Sequence, residues 1–315
     1  MKEKYLIVKG CAGLGNRLVT VMAAIRYCQI SKRTLIVDWA DGQFDVKGEN
    51  AFNKCFNISD AVKYELLESI KNWDNLSHSS ELFKINKLQG IYDIYLEQQT
   101  PFFYNLPVKL FPKGRLRRLR KKWKPKKANY ESLSFGGDLK NDLKEDVVYF
   151  VDFLPEISYN EMPEYIELKP EVKKEIEEFR LKKDLNNVTG VHVRYTDKKP
   201  TQKIEILIEH LKKKQEENIF LATDSAYIED LFVKAFSNVI LFPKIKPELS
   251  GEGLHQWALY NNEDNLKYII YKESVIEMFL LSECKELFYQ GNSTFSNISK
   301  TYHHNKKKCL DWQKL

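Results

Sequence analysis

The chain has 315 residues, 43% hydrophobic and 30% charged, which is enough apolar material for a large core and a length that favours two domains. No uninterrupted apolar run is long enough to span a bilayer, which argues against an integral membrane protein. Five cysteines, scattered and never spaced Cys-x-x-Cys, argue against a disulfide framework and a cysteine-held zinc ion.

The amino half opens with a strand over residues 5–8, a glycine-containing turn, a helix over 18–31 and a strand over 34–38. The leading apolar run is too short for a signal peptide, so a cytoplasmic location is expected and the five Asn-x-Ser/Thr sequons read as chance matches. Residues 51–144 have mixed patterning and give no confident elements. Within them, residues 113–127 (KGRLRRLRKKWKPKK) hold ten basic residues and no acidic one; subtracting ten from the net +6 leaves the rest of the chain at −4. Leu116, Leu119 and Trp123 recur there at helical spacing, so a basic amphipathic segment could dock on an anionic membrane surface or a lipid-linked acceptor. A solvated helix or loop remains the plainer reading. No aromatic-rich RNA motif or helix-turn-helix signature accompanies the run, so nucleic acid is not expected as a partner.

A strand over 146–152 follows, then Pro155 and Pro163, then a helix opened by Pro170 with Val172, Ile176 and Phe179 on its apolar face. A boundary between residues 160 and 161 would divide the chain into an acceptor-side domain, carrying an irregular basic insert near 105–130, and a nucleotide-sugar-binding domain. The second half alternates: strand 188–193, helix 204–214, strand 219–222, helix 227–236, strand 239–242, a long loop over 243–267, helix 274–284 and strand 287–289. This βαβ order predicts an α/β fold with parallel sheets, two Rossmann-like domains with a cleft between them.

Four polar clusters fall at predicted strand ends, where α/β proteins place ligands. The turn Gly10-Cys11-Ala12-Gly13-Leu14-Gly15-Asn16-Arg17 offers free N–H groups at a helix start. It lacks the Gly-Lys-Ser/Thr of a phosphate-binding loop and has Leu18 where a dinucleotide fingerprint needs glycine. The strand ending His192-Val193-Arg194-Tyr195-Thr196-Asp197-Lys198 delivers a guanidinium beside a carboxylate, suited to an anion or to a charged surface loop. Asp224, after Ala222-Thr223, reads most simply as a helix cap, and Ser293-Thr294-Phe295-Ser296 opens another helix. Four such clusters across two halves suit one extended, phosphate-bearing ligand.

Gly13-Leu14-Gly15-Asn16-Arg17, then Thr34-Leu35-Ile36-Val37-Asp38-Trp39, then residues 192–198, Ala222-Thr223-Asp224 and Ser293-Thr294-Phe295-Ser296 resemble, in order, the fucosyltransferase superfamily. They are most similar to α1,6-fucosyltransferases, including the bacterial nodulation type. The resemblance implies a GT-B fold, inverting transfer from GDP-fucose to a glycan or lipid-linked glycan, and no metal or other cofactor. It places His192 beside the nucleotide and Gly13, Gly15, Asn16, Arg17 and Ser293 to Ser296 around the diphosphate. On the same resemblance Arg194 is expected to stabilise the leaving group, and Asp224 to position the Arg194 region or the nucleotide. Apart from the resemblance, the sequence has no Asp-x-Asp to hold a divalent ion, so protein cations must neutralise the diphosphate.

Two departures stand out. Tyr195 occupies the place of a second arginine common in the family, and Gln202 lies in the stretch where α1,6 enzymes carry an acidic residue. The base is therefore open among Asp197, Glu205 and Asp41, with Asp197 equally able to orient Arg194. A transferase using another nucleotide sugar, or a binding protein for sugar nucleotides or anionic polymers, are the competing readings.

Overall fold

A computed structural model of the chain describes residues 3–10, 12–79, 143–151, 155, 157–246 and 264–315. The basic run at 113–127 and most of the long loop at 243–267 lie outside the described residues. Among those described, no helix is long and apolar enough to cross a membrane.

The first sheet is parallel. Strand β1 (Tyr5–Lys9) is followed by helix α1 (Leu14–Ser31) and strand β2 (Thr34–Asp38). A short helix, α2 (Ala51–Cys55), leads into strand β3 (Phe56–Ile58), and strand β4 (Val147–Phe150) completes the order β2-β1-β4. Every residue of β1, β2 and β4 is buried, as expected where both faces of a parallel sheet are covered.

Helix α3 (Met162–Tyr165) precedes β5 (Ile166–Leu168), which pairs antiparallel with β3. This small sheet joins sequence from either side of the expected boundary at 160/161. Helix α4 (Pro170–Lys183) buries Val172 and Ile176, with Phe179 packed against the same core.

The second sheet is parallel and five-stranded. Its chain order is β6 (Thr189–Val193), α5 (Ile204–Lys213), β7 (Asn218–Thr223), α6 (Ala226–Ala235) and β8 (Asn238–Ile240). Then come α7 (Asp264–Ser282), β9 (Glu286–Tyr289), α8 (Thr294–Tyr302) and β10 (Cys309–Asp311). The spatial order is β10-β9-β6-β7-β8. The chain leaves β6 toward β7 on one side and later fills β9 on the other, so the β6/β9 junction is a topological switch point, the place where open α/β sheets bind ligands. A single hydrophobic cluster runs from Leu6 and Val8 through Leu18 and Met22 to Ile276, Phe279 and Ile298, so the helices facing the two sheets share one core.

Three differences from the sequence reading have local causes. Helix α1 starts at Leu14, not residue 18, because Gly13 is an extended N-cap and Gly15 is a packing glycine inside the first turn. Helix α7 starts at Asp264, ten residues early, because Lys267 and Ser274 interrupt its apolar period. The edge strand β10 has three residues and an Asp, too little pattern to read.

Candidate functional site

A cavity of about 160 Å³ opens at the carboxyl ends of β6 and β7 and the amino ends of α1 and α8. Its lining includes Gly13, Gly15, Asn16, His192, Arg194, Asp224, Thr294 and Phe295, thus residues from all four polar clusters.

At the end of β6, Arg194 Nε and Nη2 donate to the two Asp197 carboxylate oxygens at 2.6 and 2.5 Å. The pair holds the guanidinium plane while leaving Nη1 outside the fork. The Arg194 backbone N–H is fixed separately by Gln290 Oε1 at 2.8 Å. Asp224 accepts from the N–H groups of Tyr195 and Thr196 at 2.7 and 3.3 Å and from Thr196 Oγ1 at 2.6 Å, so its carboxylate shapes the loop after β6. His192 stacks on Phe295 with ring centroids 5.1 Å apart, and its Nδ1 is buried without a hydrogen-bond partner. Burial, reinforced by the Arg194 and Lys244 charges, pushes the His192 pKa down to about 3, so the imidazole is neutral.

The amino ends of α1 and α8 meet. Neither Gly13 nor Ser293 gives its helix a side-chain cap, so first-turn N–H groups of both helices remain for a ligand. Asn16 Oδ1 accepts from Thr294 Oγ1 at 2.6 Å across the two turns. A Cβ on Gly15 would lie 2.7 Å from the Thr294 carbonyl carbon and 2.9 Å from Phe295 N, so the helices come this close only because residue 15 is glycine.

Five expected site residues stand outside the cavity lining: Asp197, bound to Arg194 as described, and Arg17, Ser293, Ser296 and Glu205. Arg17 is buried: it donates to Asp41 Oδ2 at 2.8 Å, to Gln43 and to the Ala12 carbonyl, and its guanidinium covers the Phe44 ring at 4.5 Å. It thereby fixes Phe44, which does line the cavity. Ser293 is the buried α8 N-cap, and Ser296 Oγ bonds the Gln290 backbone through both its N–H and its carbonyl. Glu205 is an exposed residue in the first turn of α5. Gln202 donates to the Leu315 carbonyl at 3.0 Å.

Sequence reasoning missed Lys244, Lys267, Glu277 and Tyr271, all in the lining. Lys244 Nζ donates to both Glu277 oxygens at 2.6 and 2.5 Å and to the Thr223 carbonyl at 2.9 Å. Burial raises the Glu277 pKa against the pull of that ammonium. Lys267 donates to the Gly42 carbonyl at 3.1 Å, and Tyr271 stacks on Phe44 at 4.9 Å, joining α7 to the loop after β2. The only sequence signal was a cation after strand β8 and a carboxylate within an apolar helix. Two uncapped helix ends, a guanidinium and two ammonium groups around an aromatic-walled hollow suit an anion carrying a ring.

The neutral His192 has a consequence for stability. Below about pH 6.5 the unfolded chain takes up a proton that the native state refuses, so the stabilising contribution present above 6.5 is lost as pH falls toward 3. The loss is at most about 1.4 kcal/mol per pH unit, and His303, lowered to about 4, adds in the same direction. Urea unfolding at about pH 7 and about pH 5 is expected to show a smaller acid loss in His192→Asn than in the wild type. An identical loss in both would remove His192 from the account.

The fold is similar to that of fucosyltransferase NodZ from Bradyrhizobium, with a TM-score of 0.58 and 18% identity over 95% of this chain and 92% of that one. A NodZ α-1,6-fucosyltransferase soaked with GDP-fucose matches with a TM-score of 0.55 and 20% identity, covering 96% and 93%. POFUT1 in complex with GDP-fucose matches with 0.52 and 11%, covering 96% and 94%. No protein-family model matches the sequence, and no curated protein matches it.

Proposed function

We propose that the chain is a glycosyltransferase that moves fucose from GDP-fucose to a glycan or lipid-linked glycan acceptor, with inversion and without a metal ion. The observation that supports this most is the meeting of Arg194 with the uncapped ends of α1 and α8 in one cavity, within a fold shared with fucosyltransferases.

When the bond from the sugar C1 to the β-phosphate oxygen breaks, negative charge gathers on the diphosphate. Preorganised donors aimed at that charge lower the barrier without solvent reorganisation. Arg194, held by Asp197, is the principal donor, and first-turn N–H groups of α1 and α8 supply the rest. Among the described carboxylates considered as base, Asp197 is spent on Arg194 and Asp41 on Arg17, while Glu205 lies away from the cavity. We therefore give Asp197 the orienting role; the acceptor oxygen attacks C1 from the face opposite the diphosphate and releases its proton to solvent as the new C1–O bond forms and the C1–phosphate bond breaks.

Glu277 offers a reading of the base. Guanine presents two adjacent donors, N1–H and N2–H, and each carboxylate oxygen keeps a lone pair beside its bond to Lys244. Uracil, cytosine and adenine lack that donor pair. A thermal-shift panel of GDP, UDP, ADP and CDP is expected to raise the melting temperature with GDP most, through mass action. Glu277→Gln should lower GDP affinity about 10-fold to 100-fold, as expected when a charged hydrogen bond is lost. Stabilisation by UDP and none by GDP would favour a transferase with another nucleotide sugar. No response to any of the four would sink the nucleotide-sugar reading altogether.

A further inference from the structure

The geometry points to the segment Asp311 to Gln313 as a positioning element of the donor site, acting through the turn that aims α8. The inference rests on the proposed GDP-sugar reading. None of these three residues lines the cavity, yet each is tied to a segment that does.

Trp312 is fully buried beside Val191, Val193 and Phe288, and its Nε1–H donates to the His192 carbonyl at 3.0 Å. It thus fixes the end of β6 from behind the cavity wall. Asp311, paired along β10 with Tyr289 of β9, accepts from the Gly291 N–H at 2.9 Å. A Cβ on Gly291 would strike that carboxylate, so this turn is built around residue 311. Gln313 Oε1 accepts from the Asn292 N–H at 3.2 Å, and its Nε2 donates to Thr201 Oγ1 at 2.9 Å. One half-buried amide therefore joins the turn before α8 to the loop that follows Arg194.

The consequence is geometric. Gly291 and Asn292 lead directly into Ser293 and the α8 first turn, whose Thr294 and Phe295 form the cavity wall. Donors aimed at a phosphate lose much of their worth when displaced by even 1 Å. Removing the Gln313 amide releases the Asn292 N–H and loosens that turn, which Asp311, Lys198 and Asn297 still hold at other points, while leaving the buried Trp312 and the sheet intact.

Gln313→Ala is the test, because Trp312 substitutions risk unfolding. GDP affinity, apo melting temperature and amide hydrogen exchange are measured for wild type, Gln313→Ala and Gln313→Glu. Expected are a roughly tenfold weaker GDP affinity in Gln313→Ala, a melting temperature within about 2 °C of wild type, and faster exchange over residues 292–295. Gln313→Glu, which keeps an oxygen for the Asn292 N–H, should return GDP affinity to within about twofold. Unchanged GDP affinity in Gln313→Ala, or equal loss in Gln313→Glu, overturns the inference. A wild-type protein that fails to bind GDP overturns instead the reading beneath it.

Discussion

Replacing Arg194 with alanine is expected to lower kcat/KM for GDP-fucose by about 10³-fold or more while leaving the melting temperature of the free protein nearly unchanged. The two halves of that result have separate causes. Arg194 is 22% exposed and, among the described residues, its side chain pairs with Asp197, itself 18% exposed, so little folding energy rests on the pair. Its backbone is held independently by Gln290, and the loop beyond it by Asp224, so the loop keeps its shape when the guanidinium is gone. On the proposed mechanism, what disappears is the outward Nη1 side of a guanidinium that Asp197 holds in place before the leaving group develops its charge. Arg194→Lys is expected to recover little, since a single ammonium cannot keep the two-point grip on Asp197 and still reach into the cavity. The stabilisation that GDP gives the wild type should vanish with it. A variant with near wild-type kcat/KM would strip Arg194 of its role.

Gly15→Ala is the second large effect, and its sign discriminates between two accounts of the glycine. In an exposed helix, alanine in place of glycine is worth about 1 kcal/mol in favour of the folded state. Here the added Cβ would lie 2.7 and 2.9 Å from backbone atoms of Thr294 and Phe295, which cannot swing aside as a flexible side chain would. The amino ends of α1 and α8 must part by several tenths of an ångström, straining the 2.6 Å bond between Asn16 and Thr294. Overpacking of this kind costs about 1–3 kcal/mol, and misplacing both rows of N–H donors should lower kcat/KM about 10²-fold. Chemical unfolding and steady-state kinetics check both arms. A more stable Gly15→Ala variant with normal kinetics would show that the helix ends are not in working contact.

Much of this architecture was legible because the second half alternates so regularly. Strands 188–193 and 219–222 and the helix from residue 204 are each found within a residue or two. All four polar clusters contribute residues to one cavity, since strand ends and helix starts are marked by glycine, hydroxyl and charged residues even in a single sequence. What could not be read was which residue within a cluster faces the hollow. Arg17 and Ser296 look like ligand groups by type, yet the fold spends them on Asp41, Gln43 and the Gln290 backbone. Conversely Lys244 and Glu277 sit 33 residues apart and meet only through tertiary packing. Gly15 lines the cavity, and a Cβ added there would also meet backbone atoms of the opposing helix, a packing constraint that local pattern does not show. Side-chain direction is a property of packing, and local pattern does not carry it.

The central claim, that Arg194 and the paired helix ends discharge a nucleotide diphosphate without a metal ion, is tested most directly by donor hydrolysis in the absence of acceptor. Purified protein in excess chelator is incubated with GDP-fucose, and released GDP and fucose are followed with time. Slow release by the wild type, unaffected by chelator and lost in Arg194→Ala, is the predicted result. No release by the wild type unless a divalent ion is restored, or equal release by Arg194→Ala, would contradict it.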